Sequence, residues 1–235
     1  MCRLLGIISK KSTSSQSILE QFGKFASDNP DGWGIGWYED NSPKIFKQPM
    51  SAKDAKSKFS QLAAAIKSKI IIAHLREGTG ARLCRANSHP FKYKNWIFAH
   101  NGSVNREYLI SCLKKKYKKK LKGDTDSEAY FYWIMQNIEE SGEVIDGIEK
   151  AVKKTMERNH TGLNFLLSDG KDLYALRYSK RNKDYYSLHK RKLRNSNTIL
   201  VCSEKLIPGN WQEIKVGNLL MVSSVLGTLE VSIIK

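Results

Sequence analysis

Met1-Cys2-Arg3-Leu4-Leu5-Gly6-Ile7-Ile8 opens the chain. The run from residue 2 to Ile8 reads as a short apolar strand at the very N-terminus. It is too brief to be the apolar core of a signal peptide. Residues 14–25 then show helical spacing, with serines at 12, 14 and 15 available as caps. Asp31-Gly32-Trp33-Gly34-Ile35-Gly36-Trp37-Tyr38 is a turn running into a glycine-rich strand. Residues 52–66 have helical spacing again. Residues 69–75 and 96–99 are buried-strand runs on either side of a polar loop, 77–94. A helix is expected over 105–121. Thr125-Asp126-Ser127-Glu128 has the form of a capping box opening an aromatic helix to Glu139, and another helix covers 143–158. From Leu163 onward the pattern is mostly strands: 163–168, 172–178, 184–190, 198–202, 211–216, 219–223 and 228–234. Strands, then helices, then strands predict an α+β protein with antiparallel sheets rather than a chain of βαβ units. The dinucleotide fingerprint is absent, because Gly32, Gly34 and Gly36 lie before or inside a strand and not ahead of a helix.

The chain has 235 residues, of which 40% are hydrophobic and 27% charged. Those values fit one folded domain over 1–235 and exclude collagen-like, coiled-coil and wholly disordered chains. No apolar run approaches the ~20 residues of a membrane helix. The four cysteines, at 2, 84, 112 and 202, have no paired spacing, so a reducing, cytoplasmic setting is expected. The net charge of +17 is concentrated. Residues 106–122 carry eight basic residues and one acid, and residues 177–194 carry the same. Such runs are usually solvated faces. They could also attract phosphates or nucleic acid, and Tyr117, Tyr185 and Tyr186 interleave the charges. Neither run matches a nucleic-acid-binding motif.

Cys2 becomes the first residue once Met1 is removed, and a residue as small as cysteine permits that removal. Its own α-amine, with an ordinary pKa near 8, could then serve the thiol as base. Taken alone, Cys2 is as well explained as a small buried side chain. Five further stretches change the balance: residues 31–37, already quoted; Ala73-His74-Leu75-Arg76-Glu77-Gly78-Thr79; Asn87-Ser88-His89-Pro90-Phe91; Phe98-Ala99-His100-Asn101-Gly102; and Gly123-Asp124-Thr125-Asp126-Ser127-Glu128.

Together and in this order they resemble the class II glutamine amidotransferase domain of the N-terminal nucleophile hydrolases, closest to the stand-alone YafJ-type members. The resemblance implies a four-layer αββα sandwich with two antiparallel sheets and helices outside. It implies cleavage of the γ-amide of glutamine, or of a γ-glutamyl compound, through a γ-glutamyl thioester on Cys2. Asn101 and Gly102 would form the oxyanion hole. Arg76 would hold the substrate α-carboxylate with its planar fork, Asp126 the α-ammonium, and Thr79 would add a hydroxyl. No cofactor and no metal are expected. Each residue has a plainer explanation: a hairpin turn for Asn101-Gly102, a surface arginine for Arg76, a first-turn acid for Asp126. His74, His89 and His100 are expected to be structural, since the α-amine already supplies a base. Trp33 and Trp37 read as core, and Arg3 as structural. Glu77 departs from the family pattern, which often has an aromatic or aliphatic residue there.

Glutamine or a γ-glutamyl substrate is the expected partner, with a separate synthetase or peptidase subunit and a homo-oligomer left open. Neither nucleic acid nor membrane is expected. The competing reading is a basic nucleic-acid- or partner-binding protein on the same fold without catalytic turnover.

Overall fold

Alternation along the first strand sets the layering. In Arg3–Ser14 (β1), Leu5 and Ile7 share an apolar cluster with Leu19 and Phe22, while Leu4 and Ile8 share another with Ile97, Leu166 and Leu173. Successive strand side chains point to opposite faces, so β1 serves two cores. The computed structural model describes every residue except 79, 194, 195, 224–226 and 235.

Strands are numbered in chain order. The first sheet contains β1, Gly32–Glu39 (β2), Ser42–Gln48 (β3), Lys67–Arg76 (β4), His189–Lys192 (β9), Thr198–Cys202 (β10) and Gln212–Glu213 (β11), in the order β11-β9-β10-β1-β4-β2-β3. The second contains Phe91–Tyr93 (β5), Trp96–Asn101 (β6), Asn164–Ser168 (β7), Asp172–Arg177 (β8), Asn218–Ser223 (β12) and Gly227–Ser232 (β13), in the order β13-β12-β8-β7-β6-β5. Every described pairing is antiparallel.

Gln16–Gly23 (α1) and Lys56–Ala65 (α2) cover the outside of the first sheet, burying Leu19, Phe22, Phe59 and Ala63 against Trp33, Ile35 and Ile71. Arg106–Cys112 (α3), Lys115–Lys118 (α4), Asp126–Ser141 (α5) and Val144–Met156 (α6) lie on the second sheet's side, where Tyr130, Phe131 and Ile148 meet Phe98, Phe165 and Leu176. The layers are therefore αββα, as the resemblance implied. Each fully buried Leu, Ile or Phe contributes roughly 1.5–3 kcal/mol before chain entropy offsets it. Three such clusters need no covalent staple, and all four cysteines are free. Among the described residues no helix is long and apolar enough to cross a membrane.

Several local expectations need correcting. β1 runs on to Ser14, so α1 begins only at Gln16, and its N-cap Ser15 makes no side-chain capping bond. β3 was not anticipated. The single helix expected over 105–121 is two: the Gln136 side chain accepts from Lys114 N at 2.7 Å, and the chain leaves the helix there with that donor satisfied. The strand expected over 184–190 starts only at His189, and that expected over 211–216 shrinks to Gln212–Glu213. The glycines of β2 have a packing reason. A Cβ on Gly34 would lie 2.2 Å from the His89 carbonyl, so the segment carrying His89 can cross β2 only over a bare backbone.

Candidate active site

The register of β1 on β4 sets Arg3 opposite Leu75, and one further step brings Cys2 to Arg76 at the strand ends. β2 sets Gly32 beside Arg76 from the other side. Asn101 ends β6 in the second sheet, and Asp126 opens α5. These ends converge on one cavity of about 190 Å³ whose lining includes Cys2, Arg76, Asn101, Gly102 and Asp126. Five of the six expected site residues are thus brought together. The sixth, Thr79, lies outside the described residues. Larger concavities of about 500 and 730 Å³ lie elsewhere, and neither is lined by a cysteine.

The Cys2 thiol donates to the Glu77 carbonyl at 3.4 Å, and the sulfur accepts from Glu77 N at 3.4 Å. Burial of the sulfur pushes the thiol up to about 11, opposed by the N-terminal ammonium, Arg76 and Arg3 and reinforced by Asp126. That is the state with Met1 in place, where the Met1 amine ion-pairs with the Glu77 carboxylate. Burial holds that amine below its ordinary value of 8.0. Arg3, expected to be structural, donates to the Met1 carbonyl at 2.8 Å and ion-pairs with Glu204 at 2.9 Å. Asn29, fully buried, donates to the same carbonyl at 2.7 Å.

Arg76 is 4% exposed. Its guanidinium donates to the Asp31 carbonyl at 3.4 Å and the Ala81 carbonyl at 3.0 Å, and among the described residues it meets no carboxylate. A buried cation without an anion is costly unless a ligand supplies one. Asp126 is the converse. Its carboxylate accepts from Val104 N at 2.8 Å and Ser127 N at 2.7 Å, with no cationic partner among the described residues. Asn101 is 3% exposed, and its Nδ2 is buried with no acceptor. Gly102 adopts φ +143°, and a Cβ there would lie 1.8 Å from the Gly162 carbonyl. Asn101-Gly102 is no hairpin turn: β6 ends there and the chain passes on to α3.

The capping box at α5 is half formed. Thr125 accepts from Glu128 N at 3.3 Å, but the Glu128 carboxylate turns outward to accept from Lys122 N and Gly123 N. Three buried histidines pack together here, and His89 and His100 reach the cavity lining. His74 donates from Nε2 to the His100 carbonyl at 3.2 Å and stacks on His89 at 4.1 Å. His100 lies 3.2 Å from the Gly162 carbonyl through Nε2, so its Nδ1 accepts from the Ser127 hydroxyl at 2.9 Å. Burial lowers all three, His74 to about 3, so they stand neutral. Trp33 is fully buried against Phe46 and Phe59, in the core and away from the cavity. Among the described residues no three His, Cys, Asp or Glu side chains gather as a metal-holding group.

The sequence reading missed part of the lining. Tyr185 and Tyr186 close one side of the cavity. They come from the second basic run, whose loop is gathered by buried Arg177: it donates to the carbonyls of Lys183 at 3.0 Å, Tyr186 at 3.2 Å and Ile214 at 2.7 Å. The aromatic pair inside a charged run was the available signal.

Comparison with known proteins agrees with this geometry. The sequence profile of a family described as glutamine amidotransferases class-II matches residues 1–232. The putative glutamine amidotransferase YafJ of Escherichia coli is 30% identical over 195 residues, covering 77% of this chain and 74% of YafJ. A gamma-glutamyl-hercynylcysteine sulfoxide hydrolase of Mycobacterium tuberculosis is 30% identical over 122 residues, 46% of this chain and 52% of that one. An uncharacterized Methanocaldococcus jannaschii relative is 32% identical over 199 residues, and the chain spans 55% of its length. In structure, a glutamine aminotransferase class-II domain protein of Silicibacter pomeroyi superposes with a TM-score of 0.75 at 21% identity, over 98% of this chain and 99% of that one. Sequence profile, relatives and fold agree, and the chain belongs to the class-II glutamine amidotransferases.

Proposed function

We propose that the protein cleaves the γ-amide of glutamine, or of a γ-glutamyl compound, with Cys2 as nucleophile after removal of Met1. One observation carries this reading. Among the described residues, a buried Arg76 and an Asp126 carboxylate, each without an ion-pair partner, line the same small cavity as a thiol and an unpartnered amide N–H. An α-amino acid supplies one charge to each, and about 190 Å³ is room for a glutamyl group and little more.

The chemistry follows from these positions. The Cys2 sulfur attacks the side-chain carbonyl carbon, and the thiol proton passes to the Cys2 α-amine, directly or through one water. The developing oxyanion accepts from Asn101 Nδ2 and Gly102 N. Collapse breaks the C–N bond, and the leaving nitrogen departs as ammonia or an amine with the proton the α-amine held. Water then hydrolyses the thioester to regenerate the thiol. Freed of Met1, the Cys2 amine lies beside the Glu77 carboxylate and the Asn29 amide, which now hold Met1.

The mycobacterial relative, by its name a hydrolase of a γ-glutamyl compound, supports a donor larger than glutamine, whose leaving group would extend past Tyr185 and Tyr186. The test is intact mass before and after a γ-glutamyl diazoketone analogue. The expected result is loss of Met1 and one adduct on Cys2. Removal of Met1 without an adduct would sink the catalytic reading and favour a binding protein without turnover.

A further inference from the structure

On the far side of the first turns of α5 lies a second cavity, about 730 Å³, within the ~300–1,000 Å³ range of small-molecule sites. Lys47, Arg85, Lys92, Lys119, Lys120 and Lys122 all line it. Its single lining acid is Glu128, whose carboxylate is already occupied by the backbone N–H groups of Lys122 and Gly123, at 2.8 to 3.1 Å. Among the described residues the side chains of Arg85, Lys119, Lys120 and Lys122 make no hydrogen bond and no ion pair, and all four are exposed. Lys47 is held deeper, its Nζ donating to the Ser88 carbonyl at 2.5 Å and lying 4.7 Å above the Phe91 ring. Burial lowers its ammonium to about 8, against Glu128, and the neighbouring Arg85 and Lys122 add to the fall. A bound anion would relieve that repulsion.

In the other basic run three of the cations are tied down. There Arg177 is buried and ion-paired with Glu213 at 2.8 Å, Lys190 pairs with Glu230 at 2.6 Å, and Arg191 donates to the Ile207 carbonyl at 2.9 Å. That run's exposed Lys180 and Arg181 line a separate concavity of about 500 Å³ with Arg158 and Glu157. The cavity beside α5 gathers more cations around an acid that is already occupied, and such a concave cluster suits closely spaced phosphates on a small molecule.

We propose that the cavity lined by Lys47, Arg85, Lys119, Lys120 and Lys122 binds a small polyphosphate, either inorganic or carried on an ester.

Calorimetric titration of the full chain with inorganic tripolyphosphate and, separately, with ATP tests this. One saturable site is expected for at least one of them, with orthophosphate much weaker. A tighter tripolyphosphate assigns an inorganic source, and a tighter ATP an ester. Lys119→Gln combined with Lys122→Gln should weaken binding about tenfold or more while the melting temperature holds, because both side chains are exposed. Lys180→Gln combined with Lys183→Gln, an equal charge removed from the other run, should change it less than about twofold. Absence of a saturable site for either anion, or equal loss in both double variants, would overturn the proposal. So would an RNA oligomer binding far more tightly and losing affinity in both.

Discussion

The two cavities on either side of α5's first turns are built on opposite plans. The smaller is built around a few distinct groups, among them the Cys2 thiol, the Arg76 guanidinium, the Asp126 carboxylate and the Asn101 amide. The larger is made of several exposed cations, most of them lysines, any of which can stand in for its neighbour. Buried groups held by the backbone allow no substitute, so changes there should act nearly all-or-none. Exposed charges share their work through solvent, so changes there should be graded. Side by side, they show that a cavity's size says little about its chemistry.

The strongest way to break this contrast is Cys2→Ala. It should lower turnover of glutamine or a γ-glutamyl amide by at least ~10³-fold without moving the melting temperature. Residual activity near that of the unaltered chain would place the nucleophile elsewhere. Asn101→Ala comes next, expected to lower kcat by roughly 10²–10³-fold with a small change in KM, since in the proposed reaction its amide engages the oxyanion and not the ground state. A rise in KM alone would make Asn101 a substrate clamp. Arg76→Lys should raise KM about tenfold, because a point charge replaces a planar fork. Steady-state kinetics separate these two profiles.

A fully buried histidine gives a fourth test. His74 is held at about 3 against an ordinary 6.5. Unfolded chains thus take up a proton that the folded chain refuses, so stability is full above about pH 6.5 and falls as pH drops toward 3. Thermal melts between pH 7 and 4 should show that decline, and His74→Asn should flatten its slope; an unchanged slope would remove His74 from the account. The smallest effect belongs to the larger cavity. Lys119→Gln alone should weaken tripolyphosphate about two- to fivefold, and a complete loss would mean its cations are not interchangeable after all.

How much of this was legible in the sequence follows the same division. The order of strands and helices alone reached an α+β protein, and the resemblance carried by the quoted motifs supplied the αββα layering and five of the converging residues. What stayed hidden depends on long-range capture of backbone groups. Gln136 breaks the helix at Lys114, twenty-two residues away. Arg177 folds the loop bearing Tyr185 and Tyr186 by collecting carbonyls as distant as Ile214. Glu128 matched a capping pattern yet spends its carboxylate on Lys122 and Gly123. The two basic runs have equal composition, and only their partners in space separate the tied cations, such as Arg177 and Lys190, from the free ones, such as Lys119 and Lys122.

The held N-terminus has a consequence for the order of events in the protein's biosynthesis. The Met1 side chain is 6% exposed, its amine is bound by Glu77 and its carbonyl by Asn29 and Arg3, and β1 is flanked by a strand on each side. An aminopeptidase must grip the very end that folding puts away. If Cys2 is to act as the proposed nucleophile, excision has to occur while the nascent chain is still slack, and a molecule that folds first locks in its own cap. Rapid overproduction should yield two masses, the heavier resisting added aminopeptidase until it is unfolded.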